Sequence, residues 1–488
     1  MSQQIKAMKP GALALAMALG LAGTPAGAQA VEVVQYDDGS IYEGTLKDGV
    51  RDGTGTLRTP NGYEYTGTFV DGEIRGQGTA RFPNGSVYEG GFARGRPHGY
   101  GKVTYADGSS YEGDWVDGQI NGSGVAVYAN GFKYEGGFRN GKHHGQGRLE
   151  SPNGTVYEGA WVMGVKQGQG KLVEPDGTTY EGMFANGLPN GEGTLTTADG
   201  LRYTGHWKDG VMDGQGVLTE PNGDIYEGPF VQGVREGEGK VTYANGDVYV
   251  GHFAADKPSG QGTLTGKDGY SYTGNWIEGR MEGEGRETYA NGAVYEGQFR
   301  AGLPNGPGKI TYPDGSTYEG EWRDGVFEGA GKVTRADGTV YEGQFAAGLY
   351  DGEGTLTRPD GYSYTGSWKA GLLHGKGRIT FPNGDVYEGD LAADHFHGKG
   401  KLTHADGSFY DGDWVKGVKQ GQGTERYADG SVYVGGFVDG MREGQGKLTY
   451  PDGSAISGTW AQGILVKPDE APAAPAPEGG GAETPAGN

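Results

Sequence analysis

Large and small residues alternate along most of this chain in a pattern that recurs every 23 residues. In residues 318–338, which read YEGEWRDGVFEGAGKVTRADG, Tyr318, Gly320 and Trp322 occupy every second position. A period of two in the bulky residues predicts β-strands, and no 3.6-residue helical period competes with it. The fixed 23-residue spacing indicates one supersecondary unit that is copied and stacked.

Each unit is numbered here from its lead tyrosine, which is unit position 1. The lead tyrosines are Tyr42, Tyr65, Tyr88, Tyr111, Tyr134, Tyr157, Tyr180, Tyr203, Tyr226, Tyr249, Tyr272, Tyr295, Tyr318, Tyr341, Tyr364, Tyr387, Tyr410 and Tyr433, and Ile456 takes the next place. Glycine recurs at positions 3, 8, 12, 14 and 21. In the unit that begins at Tyr318 these structural glycines are Gly320, Gly325, Gly329, Gly331 and Gly338.

Aromatic residues at positions 1 and 5 form a predicted structural row. Its candidate members are Tyr88, Phe92, Tyr111, Trp115, Trp161, Trp207, Trp276, Tyr318, Trp322, Trp368 and Trp414. Glycine inside a strand is costly unless the space is needed. We therefore expect the glycines at positions 3 and 14 to let these rings lie flat over the neighbouring backbone, a known way to cover strand glycines.

Two strands are predicted in each unit, at residues 316–322 and 330–335 in the unit above. Residues 336–338, Ala-Asp-Gly, suit a type I turn closed by a left-handed glycine, which is a common tight hairpin. Residues 323–329 are predicted to be a longer link with two glycines. The expected fold is all-β: an elongated, single-layer antiparallel sheet of stacked 23-residue β-hairpins.

This pattern closely resembles the MORN (membrane occupation and recognition nexus) repeat family. The signature YEGxFxxGxxxGxGxxxxxxG is matched by Tyr88, Glu89, Gly90, Phe92, Gly95, Gly99, Gly101 and Gly108. The resemblance implies a twisted antiparallel sheet of consecutive hairpins. MORN arrays elsewhere are attached to phosphoinositide kinase or SET methyltransferase domains, for which the repeats leave no room here. Members of the family are also linked to membrane association and to scaffolding through repeat–repeat dimerisation.

Composition divides the chain into five predicted segments. Residues 1–30 have early lysines, an apolar run and small residues near Ala28 and Ala30, which predicts a secretory signal peptide cleaved after one of these alanines. Residues 31–41 and 456–466 are predicted half-unit caps, the second a first strand that lacks its partner, and they flank eighteen units at 42–455. Residues 467–488, rich in Pro, Ala and Glu, are predicted to be a disordered tail.

This signal predicts an exported bacterial protein that is soluble in the periplasm or outside the cell. The chain has no cysteine, so neither a disulfide nor a cysteine-linked lipid anchor is expected.

Charge argues against some partners. The formal net charge is −22, which disfavours nucleic acid and makes anionic membrane surfaces a weak possibility. Position 2 is Glu in eleven units and position 15 is Lys or Arg in ten. We expect cross-strand pairing between these two rows, which include Glu319 and Lys332, rather than a ligand-binding row.

Catalytic chemistry is not expected, because general acid–base work needs groups in unlike environments within a concave site. His98, His144, His374 and His397 all occupy position 11 and are predicted to lie in loops. No metal site and no cofactor is predicted, and the G-x-G motif never opens a helix, so the dinucleotide fingerprint is not met.

Departures from the repeat suggest an internal duplication. Asp256 and Asp394 replace the glycine of position 8, and Glu287 and Glu425 replace the aliphatic residue of position 16. The members of each pair are six units apart.

The most favoured function is a non-enzymatic scaffold that binds another protein or itself in the cell envelope. One alternative is cell-wall or polysaccharide binding along exposed aromatic rows, and another is phospholipid association as in the wider family. A third, a hydrolase dependent on His395 or His397, is disfavoured.

Overall fold

The computed structural model describes residues 31–469, and every regular element among them is a β-strand. These residues divide into two compact units: residues 31–199 with 207–210, and residues 200–206 with 211–469. The predicted signal peptide with Ala28 and Ala30, and residues 470–488 of the predicted tail, lie outside the described residues.

Strands wholly in the first unit are β1 (Glu32–Gln35), β2 (Ile41–Lys47), β3 (Val50–Arg58), β4 (Glu64–Val70), β5 (Glu73–Arg81), β6 (Val87–Ala93), β7 (Arg96–Thr104), β8 (Ser110–Val116), β9 (Gln119–Val127), β10 (Lys133–Arg139), β11 (Lys142–Glu150), β12 (Val156–Val162), β13 (Val165–Val173), β14 (Thr179–Ala185) and β15 (Leu188–Thr196). Each pairs antiparallel with the next, so the unit is an open antiparallel sheet.

Strand β16 (Arg202–Lys208) contributes residues to both units. Strands wholly in the second unit are β17 (Val211–Thr219), β18 (Ile225–Val231), β19 (Val234–Arg235), β20 (Gly237–Thr242), β21 (Val248–Ala254), β22 (Lys257–Thr265), β23 (Ser271–Ile277), β24 (Arg280–Thr288), β25 (Val294–Arg300), β26 (Leu303–Thr311), β27 (Thr317–Arg323), β28 (Val326–Thr334), β29 (Val340–Ala346), β30 (Leu349–Thr357), β31 (Ser363–Lys369), β32 (Leu372–Thr380), β33 (Val386–Ala392), β34 (His395–Thr403), β35 (Phe409–Val415), β36 (Val418–Arg426), β37 (Val432–Val438), β38 (Met441–Thr449), β39 (Ala455–Ala461) and β40 (Ile464–Pro468). They too pair antiparallel in chain order, with β19 and β20 both paired to β18. The predicted all-β fold of stacked antiparallel hairpins is confirmed.

The two strands of a repeat are joined by a tight turn of two residues. Between β27 and β28 these are Asp324 and Gly325, with φ of 49° and 82°. Positive φ at both central residues is the mark of a type I′ turn, whose twist matches that of the strands. The predicted long link at 323–329 is therefore wrong, because β28 already begins at Val326. A bulge at Gly329, where φ is 62°, shifts the register of β28. Residues 326–328 therefore still pair with residues 321–323 of β27.

Repeats are joined by five-residue turns, such as residues 335–339, which contain the predicted three-residue link at 336–338. In one of them Arg335 N–H donates to Thr339 O at 2.8 Å, and Gly338 N–H donates to Arg335 O at 2.9 Å. Gly338 has φ of 82°, and the carboxylate of Asp337 accepts the Thr339 N–H at 2.8 Å. The type I turn closed by a left-handed glycine at 336–338 is confirmed.

The two ends of the described chain differ. Strand β1 pairs with β2 and has no partner strand before it among the described residues. At the other end, β39 was expected to lack its second strand, and that expectation is wrong. Gln462 and Gly463, with φ of 50° and 84°, form the same two-residue turn, and β40 follows and pairs with β39. The strand runs to Pro468, past the predicted cap boundary at residue 466.

Successive hairpins are also hydrogen-bonded through their two-residue turns. The Gly325 N–H donates to Pro304 O of the preceding repeat at 2.9 Å. A polar side chain at position 11 reaches the next turn, as Glu328 accepts the Ala347 N–H at 3.2 Å. Each two-residue turn is thus hydrogen-bonded to the preceding repeat as well as joined to the two strands of its own hairpin.

Candidate functional site

A tyrosine at position 1 is the central buried side chain of each repeat. Tyr318 is 1% exposed, and its hydroxyl donates to Glu321 O at 2.7 Å. All eighteen lead tyrosines make this bond to the carbonyl three residues later. A Cβ built on Gly331 would lie 2.5 Å from Tyr318 Cε2, and Gly331 pairs across the hairpin with Gly320. The glycines of positions 3 and 14 therefore leave the space that the ring fills.

Rings at position 5 link the tyrosines of successive repeats. Trp322 meets Tyr295 of the preceding repeat at 5.0 Å between centroids and Tyr318 of its own repeat at 5.3 Å, both edge to face. Its indole N–H donates to Gly308 O at 3.2 Å. All eight tryptophans donate in this way to the position-14 carbonyl of the preceding repeat. We call this set of position-1 and position-5 rings the aromatic ladder, in which Leu46 and Leu391 replace the ring of position 5.

Position 10 covers the other face of the lead tyrosine. Phe327 stacks on Tyr318 with centroids 3.7 Å apart and an interplanar angle of 14°. In some repeats the cover is a cation, as where Lys419 Nζ lies 5.1 Å from the centroid of Tyr410. The lead tyrosine is thus held between a glycine and a second side chain, which fixes the plane of the ring.

All predicted members of the structural row are buried. Their exposed fractions are Tyr88 1%, Phe92 5%, Tyr111 1%, Trp115 7%, Trp161 4%, Trp207 7%, Trp276 6%, Tyr318 1%, Trp322 7%, Trp368 6% and Trp414 4%. A sugar can stack only on a ring whose face is open to solvent. The rings that suggested polysaccharide binding are instead occupied by packing within the sheet.

Histidines were expected in loops, and this is wrong for all four at position 11. His98, His144, His374 and His397 lie in β7, β11, β32 and β34. The two-residue turn lengthens the second strand and takes position 11 into it. His98 follows the position-11 pattern, since its Nδ1 accepts the Asp117 N–H of the next turn at 3.4 Å.

His143, at position 10, covers the lead tyrosine of its repeat. Its ring stacks on Tyr134 with centroids 3.6 Å apart and an angle of 7°. Its Nε2 lies 2.7 Å from the Tyr128 hydroxyl. Burial lowers the pKa of His143 from 6.5 to about 4, because the charged imidazolium loses hydration.

Acid should therefore weaken the first unit through His143. Below about pH 6.5 the unfolded chain binds a proton that the folded chain refuses, so stability falls until the pH nears 4. We expect a loss of about 1–2 kcal/mol after allowing for partial exposure of the ring. His143→Phe, which copies the stacked Phe327, should remove this loss in urea unfolding measured from pH 7 to 4. His98→Gln, at an exposed histidine, serves as the control, and an unchanged acid sensitivity in His143→Phe would contradict the assignment.

The opposite face of the sheet is charged. The predicted cross-strand pairing of positions 2 and 15 is confirmed, as Lys309 lies 3.4 Å from Glu319 and Lys332 lies 3.5 Å from Glu342. These side chains are about half exposed or more. Exposed pairs of this kind contribute little each to stability. They keep the face solvated and electrically balanced.

An exposed row of aliphatic side chains lies beside the two-residue turns, and the sequence analysis missed it. We call its best-developed stretch the aliphatic row: Leu303, Val326, Leu349 and Leu372, which occupy position 9 in four consecutive repeats and are 43–50% exposed. Leu303 lies against Gly325 of the next turn, since a Cβ there would be 3.9 Å from Leu303 Cδ2. The recurrence of Leu or Val at position 9 was the available signal, and it was hidden because that position was assigned to a link.

A cavity of about 650 Å³ opens on the ladder face within the second unit. Tyr350, Trp368 and Phe396 line its floor, and Arg335 and Arg358 line it from two successive five-residue turns. Among residues 31–469, no group of three or more His, Asp or Glu side chains could hold a metal ion. That same part of the chain contains no helix long and apolar enough to cross a membrane.

Comparison with known families agrees with the repeat geometry. The array is a β-repeat protein in which one hairpin is copied around an aromatic ladder. The MORN repeat family matches eighteen successive stretches from residue 42 to residue 455. The chain belongs to the MORN repeat family. No curated protein matches it.

Solved structures share only a remote likeness. The TCP domain of SAS-4 (dCPAP) from Drosophila melanogaster, in complex with a proline-rich motif of Ana2 (dSTIL), is 17% identical, covers 41% of this chain and 90% of its own, and has a TM-score of 0.20. The TCP10 domain of Danio rerio CPAP with a STIL peptide is 14% identical over 55% and 93%, with a TM-score of 0.15. Virginiamycin B lyase from Staphylococcus aureus is 8% identical over 64% and 90%, with a TM-score of 0.10. TM-scores this low carry no argument about function.

Proposed function

We propose that this MORN array is a non-enzymatic scaffold that binds another protein along the aliphatic row. The observation that carries the proposal is that row of four aliphatic side chains, each 43–50% exposed. Neighbouring members are about 10 Å apart, twice the strand spacing, so the row extends for about 30 Å. Across the two-residue turns the members pair with position 6, which is Arg300, Arg323, Ala346 and Lys369, so basic side chains lie between the apolar ones. Exposed apolar side chains surrounded by polar ones commonly mark a protein contact.

A binding role fits the surroundings of the row better than catalysis does. Side chains alternate across a strand, so position 9 points to the charged face, away from the tyrosine that position 10 covers. Apolar side chains set among basic and ion-paired ones resemble the mixed core and rim of a protein interface. The titratable groups nearby are repeated and exposed, as with Lys332 and Glu342, whereas acid–base catalysis needs unlike environments.

The test is a charge placed in the middle of the row. Leu349→Lys should preserve folding, because the chain already carries Lys257 and Arg280 at position 9. We expect it to reduce capture of the partner from the native extract at least tenfold, measured by quantitative mass spectrometry. Thr357→Lys, at an exposed position on the same strand β30, adds the same charge outside the row and should leave capture unchanged.

The oligomeric state of these variants shows whether the partner is a second copy of the chain. If the partner is a second copy of the chain, light scattering should show an oligomer that Leu349→Lys dissociates and Thr357→Lys does not. Equal capture by wild type and Leu349→Lys would refute the row as the binding surface.

We also propose that the protein works in the cell envelope, on the basis of the signal-like pattern of residues 1–30. N-terminal sequencing of the protein from its own cells should find a chain that begins after Ala28 or Ala30. A chain that retains Met1 in the cytoplasm would refute this localisation.

A further inference from the structure

Two glutamates on the ladder face occupy equivalent positions in their repeats but have different neighbouring side chains. Glu287 in β24 and Glu425 in β36 both occupy position 16, where other repeats mostly have an aliphatic residue. Glu287 is only 6% exposed and pairs across strands with Tyr272 and Tyr295. A carboxylate in such surroundings loses most of its hydration, so its charge needs compensation from nearby groups.

Within the chain, Glu425 receives that compensation from a lysine. The ammonium of Lys419, at position 10, forms an ion pair with Glu425 Oε1. The hydroxyl of Tyr427 donates to Glu425 Oε2 at 2.6 Å. Lys419 also lies over the ring of Tyr410, 5.1 Å from its centroid. One carboxylate, one phenol and one ammonium thus form a closed cluster.

At Glu287 the same cluster lacks its cation. Tyr289 corresponds to Tyr427, and burial together with the nearby Glu287 carboxylate raises the pKa of both Tyr289 and Tyr270. Position 10 is Met281, whose Sδ lies 3.7 Å from the Tyr270 hydroxyl. No ion pair found among the described residues includes Glu287. The buried Glu287 carboxylate thus lies near two phenols and lacks the lysine that pairs with Glu425.

An acidic cavity of about 640 Å³ reaches Trp276 of the same repeat, although Glu287 itself does not line it. Tyr249 and Trp276 line its floor, and Trp276 pairs across strands with Met281. Asp224 and Asp247 line its rim from two successive five-residue turns. Their carboxylates are held in place by backbone N–H groups of the next turn, at 2.8 Å and 3.4 Å.

We propose that Glu287, Tyr270 and Tyr289 form a recognition site for a lysine side chain of a basic partner segment. The ammonium pairs with the Glu287 carboxylate, as that of Lys419 does with Glu425, and the alkyl stem lies along Trp276 and Met281, which itself fills position 10. The flanking basic residues of the segment lie in the acidic cavity. The inference names the chemistry of one ligand for the scaffold proposed above, and it rests on that binding role.

The test places a lysine of the protein itself beside Glu287, by the substitution Met281→Lys, and measures whether a basic peptide can still bind. The probe is an acetylated and amidated peptide, Lys-Gly-Lys-Gly-Lys-Gly-Lys, titrated into the full chain by calorimetry at low salt. We expect wild type to bind and Met281→Lys to bind at least tenfold more weakly, because its own ammonium occupies the site. Met212→Lys adds the same charge at position 10 of a repeat whose position 16 is Leu218, and it should bind as wild type does.

A second variant keeps the test decisive if Met281→Lys folds poorly. Glu287→Gln retains the shape of the side chain and removes its charge, so it should also lose at least tenfold in affinity. Binding by Glu287→Gln or by Met281→Lys equal to that of wild type would overturn the site, as would no binding by wild type at millimolar peptide. Loss of partner capture in Leu349→Lys tests the scaffold role separately, because that residue lies on the opposite face.

Discussion

Replacement of Trp322 by alanine is expected to lower the free energy of unfolding by about 3–5 kcal/mol. The ring is 7% exposed and touches Tyr295 and Tyr318 edge to face, so its removal leaves a cavity between two repeats. The carbonyl of Gly308 also loses the indole N–H that it accepts. Urea unfolding followed by circular dichroism would measure the loss. Because each repeat contacts only its neighbours, the variant should unfold first around this hairpin.

Trp322→Phe is the matched control for this prediction. Phenylalanine occupies position 5 in the adjacent repeats, as Phe299 and Phe345, so the ring contacts can be kept. Only the hydrogen bond to Gly308 is lost, which should cost about 1–2 kcal/mol. If Trp322→Ala were no less stable than Trp322→Phe, the ring would not be part of the packing. The polysaccharide alternative would then regain its basis, since a sugar-binding ring can be removed without loss of folding.

Much of the fold was predictable because the backbone geometry of the repeat requires particular residue types at particular positions. Gly331 must lack a side chain to make room for the ring of Tyr318, and Asp337-Gly338 is a residue pair typical of its turn. The ring-covered glycine and the turn were therefore both predictable from residue type and spacing. The two-residue turn was missed because its first residue carries no signature. Asp324, Ala347 and Lys416 all adopt φ near 48–49° there, although alanine and lysine have no preference for that region. The pairing of the flanking strands imposes this conformation, and pairing is not visible in a local window.

The candidate surfaces were harder to predict for the same reason. Exposure of position 9 depends on where the second strand begins, so an error of four residues at Val326 concealed the aliphatic row. The duplication of Glu287 and Glu425 was visible in the sequence. The ion pair that only Glu425 makes was not visible, because Lys419 lies six residues away and reaches Glu425 only when position 10 lies on the ladder face.

Gly331→Ala is expected to destabilise the protein by about 3 kcal/mol or more, a large effect for one methyl group. The new Cβ would lie 2.5 Å from Cε2 of Tyr318 and 2.7 Å from its hydroxyl oxygen. The ring cannot move away, because Phe327 stacks on its other face at 3.7 Å and the hydroxyl is bonded to Glu321 O. Relief therefore requires a shift of the backbone, which neighbouring strands resist. Urea unfolding of the full chain measures this loss.

Gly325→Ala in the same repeat separates steric need from backbone conformation. Gly325 has φ of 82°, but the nearest atom to an added Cβ is Leu303 Cδ2 at 3.9 Å, so only conformational strain of about 1 kcal/mol is expected. The same position already holds Asp256 and Asp394 at φ of 68° and 66°. In a Tyr318→Ala background, Gly331→Ala should cost much less than in wild type, because the clashing ring is gone. An equal cost in both backgrounds would mean that Gly331 is required for its backbone alone, and that the space above it does not explain the repeat.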